Sequence, residues 1–458
     1  MATAPYFVLG PTTILSIIGL AHGPDTTVPT PEEDWREAKV DVVIPAYNEE
    51  DTIILCLESL LKQTIKPNKV VLIDDGSTDK TVEFAKTFCA ENNVDIEIIE
   101  RKESIGKTPT LKREARELDC DVEFILDSDT ILESENYIER TVEELYKGVG
   151  IASACGTVLP IRERDRKRMM SEGRVKAFAE KDYHASFMIE RSFPHRLARG
   201  LMNIYREALY RFLQNFVYQG YMTFFGSIIN PVGCAVAYRR KYLKDLFDEY
   251  EPILGDNLTN SEDIFIGFAM QEAGYRNIQL HDIRARSEEP EAQAAPKQLF
   301  MWSSAFLQSC YYFPDLVKSP FKVLKRRAHE RKERKELKNN REVAEAYRQP
   351  FGKKYSHEYG RPIGWAVLLS LMEKILFPLA IVLMIIAGWW EPLIVTIMAE
   401  TAIMLMVLVY VSKGHRIEMF FKGLIATPLR YLALLFDLFT VSRVVWDAFV
   451  SGKRDWRK

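Results

Sequence analysis

The chain has 458 residues, 47% of them hydrophobic, and a formal net charge of −3. That length holds about two to three domains with a sizeable core, and a balance this near neutral argues against a protein built mainly to neutralise nucleic acid. Its six cysteines, Cys56, Cys89, Cys120, Cys155, Cys234 and Cys310, form no CxxC pair and no Cys/His cluster; they point to free thiols in a reducing compartment, not to a disulfide framework or a zinc site.

Residues 6–21 (YFVLGPTTILSIIGLA) are apolar but shorter than the roughly 20 residues that cross a bilayer. No Lys or Arg precedes them, so the basic start of a signal peptide is missing, and an interfacial or re-entrant segment is expected. With the Pro- and Thr-rich stretch after it, this segment makes an N-terminal unit over 1–37. From residue 38 a regular alternation begins. Val40–Pro45, Val70–Asp74, Val94–Ile99 and Val122–Asp127 read as buried strands, and Thr52–Gln63, Thr81–Asn92 and Thr110–Leu118 as the helices between them. Strands separated by such helices form a mostly parallel α/β sheet of Rossmann-like character. Residues 163–222 are charged, aromatic and expected to be helical; α/β character returns from Asn230 to about Ser287. The α/β domain is set at 38–297.

An interfacial helix and basic linker are expected over 298–361, where residues 322–341 hold ten Lys/Arg and three Glu. That is the pattern of a solvated helix that can also touch anionic lipid. The tail, 362–458, is membrane-like. Residues 363–390 and 393–412 are long enough to span and are joined at Glu391-Pro392, with Trp389 and Trp390 in aromatic-belt position. Basic groups flank the far ends of both, which puts those ends on the cytosolic side. Residues 422–447 carry Arg430, Asp437, Arg443 and Asp447, charges that suit a half-buried interfacial helix. Within the spans, Lys374 is placed to snorkel, and Glu400, ~12 Å away in depth, has no partner evident from sequence.

Ligands of parallel sheets bind at the carboxyl ends of strands, so the residues there are the candidates. The first strand ends in Pro45, Ala46, Tyr47 and Glu49, which can cradle a flat base; the second ends in Asp74-Asp75 on a Gly turn, where Asp75 can bond a base edge or ribose. The fourth ends in Asp127-Ser128-Asp129. Carboxylates at i and i+2 of a strand exit are hard oxygen ligands suited to Mg²⁺ or Mn²⁺ on a diphosphate. No GxGxxG follows a strand, and Gly106-Lys107-Thr108 lacks the first glycine of a phosphate loop; Lys107 remains a candidate phosphate contact.

IPAYNEE, DDGSTD and DSD, in this order, resemble the family 2 glycosyltransferases of GT-A fold, and in particular the membrane-integrated hyaluronan, chitin and cellulose synthases. The resemblance extends to the segment from Asn230 to Arg240, to Ser261-Glu262-Asp263, and to Gln298-Leu299-Phe300-Met301-Trp302, which is similar to the family's Q-x-x-R-W. It implies an inverting transferase with a nucleotide-sugar donor, a UDP-sugar by family habit, and a polysaccharide acceptor at a cell membrane with the catalytic domain cytosolic. It further implies Asp263 as general base, Asp129 with Asp127 at the metal, and Gly233, Cys234, Glu262, Gln298 and Trp302 on the acceptor side. Met301 departs from the family's arginine, a change that removes a permanently charged bidentate donor. Transfer of one sugar to a membrane lipid, and a non-catalytic sugar-binding or scaffolding subunit, are the alternatives.

Overall fold

The computed structural model describes residues 10–22, 34–148, 150–181, 193–254, 261–289, 292–336 and 351–451. One mixed sheet organises the catalytic half. Its strands are β1 (Val40–Ala46), β2 (Lys69–Asp74), β3 (Glu97–Glu100), β4 (Val122–Leu126), β5 (Thr130–Leu132), β6 (Ile151–Pro160), β7 (Ala235–Arg239) and β8 (Arg276–Ser287), in the order β3-β2-β1-β4-β7-β6-β8-β5. β3, β2, β1 and β4 are parallel, as the alternation predicts; β7 then runs antiparallel to β4 and β6. The burial of β1, interrupted only at Pro45, and the unbroken burial of β4 and β6 are those of strands covered on both faces.

The helices up to the end of this half are α1 (Pro11–His22), α2 (Ile53–Leu61), α3 (Thr81–Glu91), α4 (Lys107–Glu117), α5 (Tyr137–Tyr146), α6 (Glu163–Met170), α7 (Gly173–Lys181), α8 (Phe193–Phe212), α9 (Gln219–Phe225), α10 (Arg240–Leu254) and α11 (Glu262–Ala273). α4 starts three residues earlier than the sequence suggests. Gly106, at φ +91°, turns the chain into it, and Pro109 is tolerated in a first turn whose N–H groups have no helical acceptor.

Beyond the sheet lie α12 (Ala295–Tyr312), α13 (Pro314–Lys318), α14 (Val323–Glu336), α15 (Lys353–Tyr359), α16 (Gly364–Ile386), α17 (Trp390–Val411) and α18 (Arg416–Trp446). α16, α17 and α18 are long and apolar enough to cross a membrane. The turn between the first two falls at Gly388, whose φ of +69° favours glycine. Glu391-Pro392, read as the turn from sequence, forms the first turn of α17 instead, a position that proline accepts.

The charges of the tail are paired. Arg430 of α18 makes a bidentate ion pair with Glu400 of α17, and Tyr431 Oη donates to the same carboxylate at 2.7 Å. Lys374 of α16 does not snorkel: it is buried, with Nζ 2.9 Å from Asp437 Oδ2 and 3.0 Å from Ser303 Oγ of α12. Arg430 and Asp437 are seven residues apart, about 10 Å and close to two full turns along a helix. α18 therefore carries both complementary charges on one buried face. That face also meets the catalytic half at two places. Ala426 and Arg430 adjoin Tyr205 and Leu209 of α8, and Val441 and Val444 pack on Leu307 of α12.

The described part of the N-terminal segment, α1, is about 18 Å long and is clamped from two sides. A Cβ on Gly19 would lie 2.4 Å from Gly220 O, and one on Gly220 would lie 2.5 Å from Ser16 Cα, so α1 and α9 touch backbone to backbone. At its first turn, Thr12 donates its N–H (2.7 Å) and its hydroxyl to the buried carboxylate of Glu373 on α16.

Removing one partner of a buried ion pair strands the other and costs about 3–5 kcal/mol. Glu400→Gln is expected to lower the thermal midpoint of the detergent-purified protein, and the charge swap E400R/R430E to recover part of the loss; equal midpoints for wild type and E400Q would show that the pair contributes nothing.

Candidate active site

The loops after β1 and β2 are bonded into one unit. Asn48, at φ +56°, donates its N–H to Ser77 Oγ at 2.9 Å and accepts from Thr78 N–H at 2.8 Å. Glu49 N–H donates to Thr81 Oγ1 at 2.7 Å, and Lys80 N–H to Glu50 Oε2 at 3.0 Å. The YNEE and GSTD segments thus brace each other. Asp75 accepts from Ser104 Oγ (2.6 Å), Gly106 N–H (2.8 Å), Ile105 N–H (3.0 Å) and Arg101 Nη1 (3.1 Å). Burial pushes its carboxyl up, but these donors outweigh burial and hold it below the usual range. Both its oxygens shape the loop that leads into α4.

Beside these loops, at the same edge of the sheet, lies a cavity of 770 Å³, within the range of small-molecule sites. It brings together Lys107, Asp127, Asp129, Gly233, Cys234, Glu262, Asp263, Gln298 and Trp302. Pro45, Ala46, Tyr47, Glu49 and Asp75 lie outside its lining; Tyr47 is half exposed, and Pro45 O accepts from Ser128 Oγ at 3.0 Å. Lys107 stands at its centre. Its Nζ is 2.7 Å from Asp127 Oδ1, 2.8 Å from Glu262 Oε1 and 3.4 Å from Gly233 O.

The cavity walls carry seven carboxylates and three cations. Burial raises the carboxyl of Asp129 well above its ordinary value, and the charges of Asp127 and Glu49 raise it further. Burial likewise takes Glu49 to about 7, against the hydroxyl of Thr52 and with help from Asp127. Such a surplus of hard oxygen charge suits a divalent cation. Among the described residues no three His, Cys, Asp or Glu side chains gather into a complete ion cage. The donor set is the sparse kind, one or two carboxylates, that leaves places for phosphate oxygens.

Asp263 is held on the opposite wall, in the first turn of α11. Oδ1 accepts from Ile264 N–H at 2.8 Å and from Ser261 Oγ, and Oδ2 accepts from Gly233 N–H at 3.2 Å. A carboxylate has about four acceptor positions, so among the described residues one on Oδ2 remains for a proton donor in the cavity. Gly233 is required for this fit, because a Cβ there would stand 2.7 Å from Asp263 Cβ and 3.0 Å from Cγ.

The floor is α12. Trp302 lies over the guanidinium of fully buried Arg206 at 4.7 Å, and Arg206 donates to Gln298 Oε1. Met301 also lines the cavity, so the cation missing from this position is not replaced within the motif. Arg443 of α18 reaches the same cavity, 5.1 Å over the ring of Phe300. Arg443 and Asp447 were legible only as charges in an apolar tail. Glu288 and Glu289, also in the lining, follow the end of β8, a strand-end position that the sheet rule could have flagged. Arg206 gave no sequence signal.

A mixed sheet with strand-end carboxylates facing one large cavity, covered by helices on both faces, is the GT-A architecture. A solved mannosyltransferase of Pyrobaculum calidifontis, in complex with GDP-Man and Mn²⁺, shares the fold at a TM-score of 0.50 and 15% identity, over 95% of each chain. Residues 41–247, just under half of the chain, match the family model described as Glycosyl transferase family 2, and this part of the chain is a family 2 glycosyltransferase domain. An N-acetylglucosaminyltransferase of Azorhizobium caulinodans is 24% identical over 260 residues, 56% of each chain. An O-antigen chain rhamnosyltransferase of Salmonella typhimurium is 34% identical over 126 residues, 27% of this chain and 38% of its own. The chain thus spans a third to just over half the length of these curated relatives.

Misplacing a reacting group by about 1 Å can cost on the order of 10²-fold in rate. Gly233→Ala is expected to lower kcat by that order with donor binding and the circular-dichroism spectrum kept; an unchanged kcat would show that Asp263 does not need this contact.

Proposed function

We propose that the protein is an inverting transferase that moves a sugar from a nucleotide-sugar, with uridine diphosphate as the leaving group, to an acceptor hydroxyl at the membrane surface. The observation that carries this reading is the placement of Asp263 in one cavity with Lys107, Asp127 and Asp129. The free acceptor position of Asp263 Oδ2 takes the proton of the acceptor hydroxyl. The new bond forms between that oxygen and the anomeric carbon, on the face opposite the breaking bond to the diphosphate, which leaves with the electron pair. Asp127 and Asp129 would hold Mg²⁺ or Mn²⁺, which when bound offsets charge on the diphosphate. Lys107 and the N–H groups opening α4 favour anionic oxygens beside it. Pro45, Ala46, Tyr47 and Glu49 sit on the braced loops as the base and ribose side, with Asp75 beneath, shaping the loop. Cys234, Glu262, Gln298 and Trp302 stand on the acceptor side.

The acceptor read from the family resemblance is a growing polysaccharide. A second reading, transfer of a single sugar to a membrane lipid, is favoured by the wall that Arg443 of α18 and Asp447 just after it contribute to the cavity. The basic groups of α14 and of residues 413–416 support a cytosolic position for these ends, and α18 packs there against α8 and α12.

Asp263→Asn is expected to lower turnover by about 10²–10⁴-fold while donor binding stays; undiminished turnover would remove Asp263 as the base. Chelation of divalent cations should abolish donor hydrolysis, and Mn²⁺ or Mg²⁺ should restore it; hydrolysis that persists in chelator rules out the metal role of Asp127 and Asp129. Sizing the product made from a labelled donor separates polymer from a single-sugar lipid.

A further inference from the structure

A second cavity, of 290 Å³, lies beside the first and is lined by α6, α8 and the start of α18. Its charge is opposite to that of its neighbour. Arg162, Arg166, Arg196, Arg199 and Lys422 face three glutamates, Glu163, Glu207 and Glu288. Glu288 belongs to both cavities, and Arg166 and Arg199 each donate to it, so the basic pocket opens onto the acidic site across a single side chain. Lys422 Nζ is fixed at 2.5 Å from Glu207 Oε2 and 2.6 Å from Glu418 Oε1.

The pocket is bordered by apolar surface. α8 turns Arg196, Arg199 and Asn203 into it. About a third of a turn round the same helix, Phe193, Leu197 and Leu201 are exposed at i, i+4 and i+8. α18 repeats the pattern: Lys422 lines the pocket, while Ile417, Phe421 and Leu424 are exposed beside it. Amphipathic helices with apolar stripes next to arginine and lysine are built to lie in the headgroup zone of a bilayer.

We propose that this pocket holds the phosphate of a membrane lipid, with the apolar chain along the stripes of α8 and α18 and the rest of the headgroup reaching across Glu288 toward Asp263. This rests on the reading of glycosyl transfer at the membrane surface and narrows its acceptor to a phosphate-bearing lipid. Guanidinium groups suit phosphate through paired N–H donors; five cations line the pocket against three glutamates, with Arg162 and Lys422 also held by Asp165 and Glu418 just outside the lining.

The test is equilibrium binding of short-chain phosphatidic acid, and separately of inorganic phosphate, to the full chain in neutral detergent. Saturable binding of phosphatidic acid is expected, weakened tenfold or more by Arg196→Glu, weakened also by Lys422→Gln, and unaffected by the control K325Q/R327Q on α14. Thermal midpoints and donor hydrolysis of Arg196→Glu should match wild type, which separates this pocket from the transfer chemistry. Phosphatidic acid binding that survives both pocket variants, or that falls equally in the control, overturns the proposal. Inorganic phosphate binding as tightly as the lipid overturns it as well, in favour of a free-anion site.

Discussion

Carboxylates buried side by side stay ionised only with a cation among them, and the catalytic half is arranged around that constraint. Asp127, Glu262 and the carbonyl of Gly233 come from segments far apart in sequence, and they meet at the single ammonium of Lys107. Desolvation of each group is repaid only when all are in place. The Gly106 turn sets Lys107, Asp75 sets the Gly106 loop, and the braced loops after β1 and β2 set Asp75. Asp263, one residue after Glu262, is then placed by the same convergence.

Much of this site was legible in sequence because it follows strand ends. A parallel sheet forces the segments after β1, β2 and β4 to one edge, so acid-rich turns there point to a shared site before any coordinates are seen. The sequence could not show which of those residues face the cavity. Asp75 and Asp127 occupy equivalent strand exits, yet the first is spent on backbone donors of the 104–106 loop and the second faces Lys107. That division depends on how a loop without regular structure folds back. Arg206 and Arg443 were hidden for a different reason: each reaches the site from a helix whose register against α12 is set by tertiary packing, not by any local pattern.

The tail shows the same limit in apolar surroundings. Length and hydropathy located α16 and α17 well. Charges inside an apolar run were a correct sign of something special, but their partners lay on a helix whose role was ambiguous. Glu400 and Lys374 each find a residue of opposite sign on α18, and the seven-residue spacing of Arg430 and Asp437 fixes the axial register of all three helices at once. Because α18 also touches α8 and α12, that register passes to the floor and wall of the catalytic cavity.

The clasp of α1 has a bearing on the order in which the molecule is made. Thr12 and Glu373 are separated by 361 positions. At synthesis rates of about 5–20 residues per second, α1 leaves the ribosome on the order of 20–70 s before the carboxylate that receives its first turn exists. The glycine seam against α9 becomes available earlier, so α1 can rest on the catalytic half first and close on α16 last. α1 is thus made well before the second of its two anchors, a latch that joins the two halves only once the first long apolar helix has been completed.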